Sequence, residues 1–119
     1  MKREQLYYLR SEILGEMAYV LLNAPDFPAE DETSLKRMRD KIVDRMSHHR
    51  ETLHSEVQLV WHRLAEQEVS AAFEAFSSGD RHVGCRQIQQ AEDHFRRSFK
   101  PKKIRPDFVV GPDGETTKT

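Results

Sequence analysis

The chain has 119 residues, of which 37% are apolar and 33% charged, and its net charge is −1. That length supports one domain with a modest core, and the high charged fraction favours elongated helices over a compact α/β domain. No run approaches the ~20 apolar residues of a membrane-spanning helix. The single cysteine, Cys85, excludes an internal disulfide framework and zinc sites built on several thiolates. We therefore expect a cytoplasmic protein that needs no cofactor and no membrane.

The first predicted helix spans about residues 2–23. Its apolar side chains recur every three or four positions, which is the spacing of one helix face: Leu6, Leu9, Ile13, Met17 and Val20. Tyr8, Tyr19 and Leu22 lie on the far side, so the second half of this helix is apolar nearly all round. Such a helix needs more than one neighbour to bury it. Pro25 then ends it, because proline pushes the preceding residue out of the α region.

Residues 34–78 contain neither proline nor glycine, and they predict one long central helix. A first apolar stripe follows its first two thirds: Leu35, Met38, Ile42, Met46, His49, Leu53, Val57, Val60 and Leu64. A second stripe lies ~100–140° around the helix axis, near the C-terminal end: Trp61, Ala65, Val69, Ala72 and Phe76. Two apolar faces imply two neighbouring elements. The alternative to one continuous central helix is a break near residues 47–50, where helix propensity is weakest.

The segment Ser77-Ser78-Gly79-Asp80 predicts the end of the central helix and the start of another. Gly79 suits the left-handed position after a helix, and Asp80 can cap the helix that follows. This last helix spans about residues 81–99 and carries one narrow apolar stripe: Ile88, Ala91, Phe95 and Phe99. Residues 100–119 contain three prolines and two glycines, and they predict an extended or disordered tail.

These elements predict an all-α fold in which residues 1–99 form one helical domain and residues 100–119 a basic tail. The bundle has three helices around the long central one, at about 2–23, 34–78 and 81–99, or four if the central helix breaks. The first helix is expected to pack on residues 35–57 and the last on residues 60–77. Because the first helix keeps apolar surface that these contacts do not cover, we also predict a homodimer.

Charge alternates along the chain in blocks. Residues 1–34 and 51–80 are acidic, whereas residues 35–50 and 81–105 are basic. An antiparallel hairpin would place the last basic block beside the acidic 51–80 block. We therefore expect complementary charge to guide helix pairing.

Histidine and carboxylate spacings suggest a metal site only weakly. Glu51 and His54 have the Glu-x-x-His spacing of di-iron helical bundles, but those sites use the motif twice and it occurs once here. On a continuous helix, His54, Gln58 and His62 would also share one face. A metal-binding bundle through Glu51 and His54 is therefore the third hypothesis. Cys85 is better explained as a small core or interface residue than as a nucleophile.

The leading hypothesis is a non-enzymatic helical protein that binds other proteins, as a small subunit, adaptor or inhibitor of a larger complex. Trp61 is a predicted contact, because it lies where the two apolar faces of the central helix exchange. Six cations near the end of the last helix are further predicted contacts: Arg96, Arg97, Lys100, Lys102, Lys103 and Arg105. The second hypothesis is nucleic-acid binding through residues 96–105, since such a segment can contact phosphates. The near-neutral net charge weighs against it.

Overall fold

The computed structural model describes residues 2–24 and 32–99. Within those ranges the chain forms four helices and no strand, which confirms the all-α prediction. The helices are α1 (Arg3–Asn23), α2 (Glu32–Arg50), α3 (Glu56–Ser77) and α4 (Arg81–Phe99). None of the four combines the length and the apolar character that crossing a membrane takes. The predicted tail, residues 100–119, lies outside the described residues.

The long central helix is broken, so the three-helix prediction is wrong and the four-helix alternative is confirmed. The break lies at residues 51–55, a few positions beyond the predicted 47–50. The Thr52 hydroxyl donates a hydrogen bond to the carbonyl oxygen of His49, at 2.7 Å, and so competes with continued helix. The Ser55 hydroxyl accepts one from the backbone N–H of Gln58, at 3.4 Å, and caps α3. Side-chain hydrogen bonds of this kind stop one helix and start the next.

Because α3 begins afresh after the break, its apolar residues do not continue the stripe of α2. Ile42, Met46 and Leu53 are buried, as the first stripe predicts. Val57 and Val60, which the same stripe placed inside, are exposed. The second predicted stripe is confirmed over its C-terminal part, where four of its residues are buried: Ala65, Val69, Ala72 and Phe76.

The turn between α3 and α4 is the one that the sequence predicts. Gly79 has φ +85°, the left-handed conformation that glycine adopts without strain. Asp80 Oδ1 accepts a hydrogen bond from the backbone N–H of Val83, at 3.0 Å, and so caps α4. A Cβ on Gly84 would lie 2.3 Å from the Phe76 ring, so only glycine lets the two helices approach this closely. The predicted α4 stripe is buried at Ile88, Ala91 and Phe95 and half-buried at Phe99.

The helices pack as two antiparallel pairs, α1 with α2 and α3 with α4, as predicted. The first pair carries two ion pairs, Glu16–Lys41 at 2.9 Å and Glu12–Arg45 at 3.0 Å. The two pairs meet through further contacts of α2 with α3 and of α1 with α4. One continuous apolar core results, and it includes Ile13, Met17 and Val20 of α1.

Candidate functional site

A surface at the start of α3 exposes apolar side chains around the only tryptophan. Val57 and Val60 are 56% and 61% exposed, and Trp61 beside them is half-buried. We call Val57, Val60, Trp61 and Arg97 the Trp61 patch. The valines are exposed because the break at residues 51–55 sets the rotation of α3, which turns their face away from α2.

Trp61 is held in place by α4. Its ring stacks on His94, with centroids 5.3 Å apart and planes 29° apart. The Arg97 guanidinium lies over the same ring, 5.2 Å from its centroid, which is a cation–π distance. His94 is fixed in turn, because its Nδ1 lies 2.7 Å from a carboxylate oxygen of Glu68 on α3. A tryptophan ordered in this way loses little conformational entropy when a partner covers it.

The structure brings together two of the predicted contact residues, Trp61 and Arg97. Arg96 is exposed on α4 as well, but it lies 3.6 Å from Glu92, one turn earlier. Arg97 lies 3.2 Å from Asp93 in the same way. The remaining predicted cations lie outside the described residues: Lys100, Lys102, Lys103 and Arg105. The two cations of the segment that the structure describes are therefore each paired with a carboxylate of their own helix.

The proposed metal ligands are not arranged as the sequence suggested. Glu51 and His54 lie in the non-helical segment between α2 and α3, and both are exposed. His54 is therefore separated from His62, which is fully buried on α3. Among residues 2–24 and 32–99, no group of three or more His, Cys, Asp or Glu side chains is placed to hold a metal ion. The predicted face of His54, Gln58 and His62 does not exist, because it required a continuous helix.

A buried pair of histidines is the main feature that the sequence did not predict. The rings of His49 and His62 stack with centroids 5.1 Å apart and planes 12° apart, and both residues are fully buried. Phe95 packs edge-on against both rings. His49 did lie on the predicted stripe of the central helix. His62 did not, because the phase of α3 was assigned from a continuous helix.

Each histidine has one charged neighbour and one unpaired nitrogen. Arg10 Nε donates to His49 Nε2 at 3.0 Å, so the neutral His49 ring carries its proton on Nδ1. His62 Nδ1 lies 2.5 Å from a carboxylate oxygen of Glu66, and the other oxygen of Glu66 accepts from Arg50 at 2.6 Å. His49 Nδ1 and His62 Nε2 have no hydrogen-bond partner within the described ranges. Polar contacts therefore link Arg10 to His49, and His62 through Glu66 to Arg50. Between the two histidines the contact is the stacking of their rings.

A second exposed apolar surface lies on the outer side of α1. Four large side chains there are more than half exposed: Tyr7 at 65%, Tyr8 at 69%, Tyr19 at 55% and Leu22 at 79%. Tyr7 and Tyr8 contact each other edge to face, with centroids 5.8 Å apart. The surplus apolar surface that the sequence predicts for this helix is therefore present in the folded chain.

Comparison with protein-family models, with curated proteins and with solved structures found no match to this chain.

Proposed function

We propose that the chain is a non-enzymatic helical protein that binds another protein through the Trp61 patch, as a small subunit, adaptor or inhibitor of a larger complex. The observation that supports this proposal is the exposure of Val57 and Val60 beside a tryptophan that Arg97 covers on one side. Tryptophan and arginine are the residues most enriched among the energetically dominant contacts of protein interfaces.

Covering the patch would release substantial free energy. Burying a valine-sized side chain contributes roughly 1.5–3 kcal/mol, and a tryptophan that becomes fully covered contributes a similar amount. Nothing in the described bundle uses the outer sides of these residues. An apolar side chain of a partner, inserted between Val57 and Trp61, is the simplest way to cover them.

Charge around the patch indicates the partner's chemistry. Arg63 is exposed one turn after Val60 and makes no ion pair with any described residue. Arg97 is only loosely neutralised by Asp93, at 3.2 Å on an exposed surface. A partner surface with an apolar centre and carboxylates at its edge would therefore complement the patch.

We also propose that the chain forms a homodimer, and that this association uses a different surface. The apolar residues of α1 support the proposal, because four large exposed side chains on one helix are a greater apolar surface than single scattered residues present. The Trp61 patch belongs to α3 and α4, so a dimer through α1 leaves it accessible.

Affinity capture with variants of the patch tests the proposed function. Immobilised wild-type protein should retain a partner from lysate, and Trp61→Ala should weaken binding by ~2 kcal/mol or more, about 30-fold. Arg97→Ala should weaken it as well. Arg96→Ala is the matched control, because Arg96 is equally exposed on α4 and has a similar ion pair, but no contact with Trp61 is found for it.

Nuclease treatment distinguishes protein binding through the Trp61 patch from nucleic-acid binding through residues 96–105. A partner that remains bound after treatment and is lost only with Trp61→Ala supports a protein interface. Retention that disappears with nuclease, and is insensitive to Trp61→Ala, would instead favour nucleic-acid binding through residues 96–105.

A further inference from the structure

The outer face of α1 contains a glycine that the fold of one chain does not explain. Gly15 lies in the middle of the helix and is exposed. A Cβ built on it would meet nothing within 4 Å, so no neighbour within the chain requires a glycine there. Glycine in a helix interior costs about 0.5–1 kcal/mol relative to alanine. No contact among the described residues offsets that cost, whereas a close contact from outside the bundle would.

The residues around Gly15 form a stripe on the same face of the helix: Tyr8, Ser11, Gly15, Tyr19 and Leu22. All five follow each other at three- or four-residue steps, so they share one side of α1. Small residues occupy the middle of the stripe and large exposed ones its two ends. That order suits a second helix that crosses closely at Gly15 and is flanked by bulky side chains.

We propose that α1 pairs with α1 of a second copy in an antiparallel arrangement whose two-fold axis passes near Gly15. This inference rests on the proposed homodimer and names its interface. A two-fold axis makes each surface its own partner. With Gly15 opposite Gly15, Tyr8 of one copy lies opposite Leu22 of the other, and Ser11 opposite Tyr19. Helical side chains lean toward the N-terminus, so each Tyr19 leans over the Gly15 of the other copy.

Charge favours the antiparallel pairing over a parallel one. The ion pairs Glu16–Lys41 and Glu12–Arg45 show that α1 and α2 run in opposite directions. The N-terminal half of α2 therefore lies beside the C-terminal half of α1. An antiparallel partner places its own basic half of α2, which includes Lys36, Arg37 and Arg39, at the opposite end of the dimer. A parallel partner would place the two basic halves of α2 at the same end, where like charges repel.

The surface beside the stripe can accommodate the second helix. An open groove of about 490 Å³ lies between α1 and α2, and six residues line it: Gly15, Glu16, Tyr19, Arg37, Met38 and Lys41. Tyr19 and Met38 give it apolar lining, and Arg37 and Lys41 make its α2 rim basic. Arg37 on that rim is exposed and has no ion-pair partner among the described residues.

The area available matches a weak but specific dimer. Aromatic side chains bury ~150–250 Å² each when fully covered, so the four exposed side chains of α1 supply on the order of 500 Å² per copy. Two copies then bury ~1,000 Å², which is the lower limit for a specific interface. We therefore expect a dissociation constant in the micromolar range.

Sedimentation equilibrium of the full chain over ~10–300 μM tests the inference by comparing wild type with Gly15→Leu. Leucine favours helix, and a Cβ at position 15 meets nothing within 4 Å, so the monomer should keep its circular dichroism spectrum. Dimerisation should weaken by at least ~10-fold, because the added side chain separates the two helices. Ser70→Leu, at an exposed position of α3, is the matched control and should leave the dimer unchanged.

Cysteine cross-linking tests the register. In a Cys85→Ser background, Gly15→Cys should form a disulfide-linked dimer under mild oxidation, since residues on the two-fold axis meet within disulfide distance. Ser11→Cys should not, because Ser11 lies opposite Tyr19. Equal cross-linking of both variants would overturn the register. A wild-type protein that stays monomeric at ~300 μM would overturn the dimer and its interface together. A wild-type dimer that Gly15→Leu does not weaken would overturn only the interface.

Discussion

The buried ring of His49 determines how the core responds to protonation. His49 contacts Arg10 of α1 and the ring of His62 on α3, while the α4 side chains against it, Phe95 and Phe99, are apolar. Burial, then the charge interactions with His62 and Arg10, lower the pKa of His49 to about 3. The core is therefore built around a neutral His49, and the carboxylate of Glu66 contacts His62 on the other side of the stacked pair.

Acidification should destabilise the fold through His49. The unfolded chain takes up a proton on this ring as pH falls below its usual pKa of about 6.5, whereas the folded chain does so only near pH 3. The free energy of unfolding should thus be unaffected by His49 above about pH 6.5. Below that pH it should decrease, by at most ~1.4 kcal/mol per pH unit, until the folded pKa is reached.

Urea unfolding at several pH values between about 7.5 and 4.5 measures this effect. His49→Gln, which keeps a hydrogen-bond acceptor for Arg10 but does not titrate, should remove that part of the decrease. His48→Gln is the control, because His48 is the neighbouring exposed histidine and should leave the wild-type pH dependence intact. Identical pH dependence in wild type and His49→Gln would show that the ring is not responsible.

At the scale of the helices, the five residues between α2 and α3 decide the architecture. Thr52 and Ser55 form the hydrogen bonds that end one helix and begin the next. Ser55 and Gln58 also have the Ser-x-x-Gln spacing of a capping box, so the sequence did contain a signal for this break. Helix propensity alone pointed slightly upstream, because it weighs residues singly and ignores side-chain capping. Arg50 and Glu66 then bind α2 to α3 across the break.

Removing the cap should lower stability measurably. Ser55→Ala leaves the first backbone N–H groups of α3 without their side-chain acceptor, and we expect the free energy of unfolding to fall by ~1 kcal/mol. Ser70→Ala, in the exposed middle of the same helix, should be neutral or slightly stabilising, since alanine favours helix there. Urea unfolding of both variants gives the comparison. Equal losses would indicate that serine at 55 does not act as a cap.

Across the whole molecule, the alternating charge blocks do not pair as the sequence predicts. The sequence predicts that the basic 81–105 block pairs with the acidic 51–80 block. Two ion pairs between helices join the acidic first block to the basic second block, Glu16–Lys41 and Glu12–Arg45, and Arg50–Glu66 joins the second block to the third. Between α3 and α4, His94 contacts Glu68 and Arg97 lies over Trp61, while the buried side chains that join the two helices, such as Val69, Ala72 and Phe95, are apolar. Arg96 and Arg97 form their ion pairs with Glu92 and Asp93 of α4 and not with carboxylates of α3. Apolar packing thus determines the α3–α4 register.

Self-association through α1 should make thermal stability depend on protein concentration. Folded dimer is favoured over unfolded chains by about 1.4 kcal/mol per dimer for each tenfold rise in concentration above the dissociation constant. Calorimetry at ~10 and ~500 μM should therefore show a higher Tm at the higher concentration for wild type. Gly15→Leu should show a much smaller shift. A wild-type Tm that is the same at both concentrations would contradict the dimer.

The amino-acid sequence by itself determined the features that depend on near neighbours in the chain. The helical content, the turn at Gly79 and Asp80, and the buried faces around Val69 and Phe95 all follow from local spacing and from residues that break helices. The break between α2 and α3 also depends on near neighbours, because its cap is formed by Ser55 and Gln58, three residues apart.

Only the tertiary structure decided which side chains meet across long stretches of chain. Arg10 and His49 are 39 positions apart, and no periodicity relates them. The exposure of Val57 and the burial of His62 depend on how α3 is rotated against α2 and α4. The open space at Gly15 depends likewise on what the other helices leave uncovered. Such features are set by packing between distant segments, because local sequence patterns define a helix face but not the neighbour that covers it.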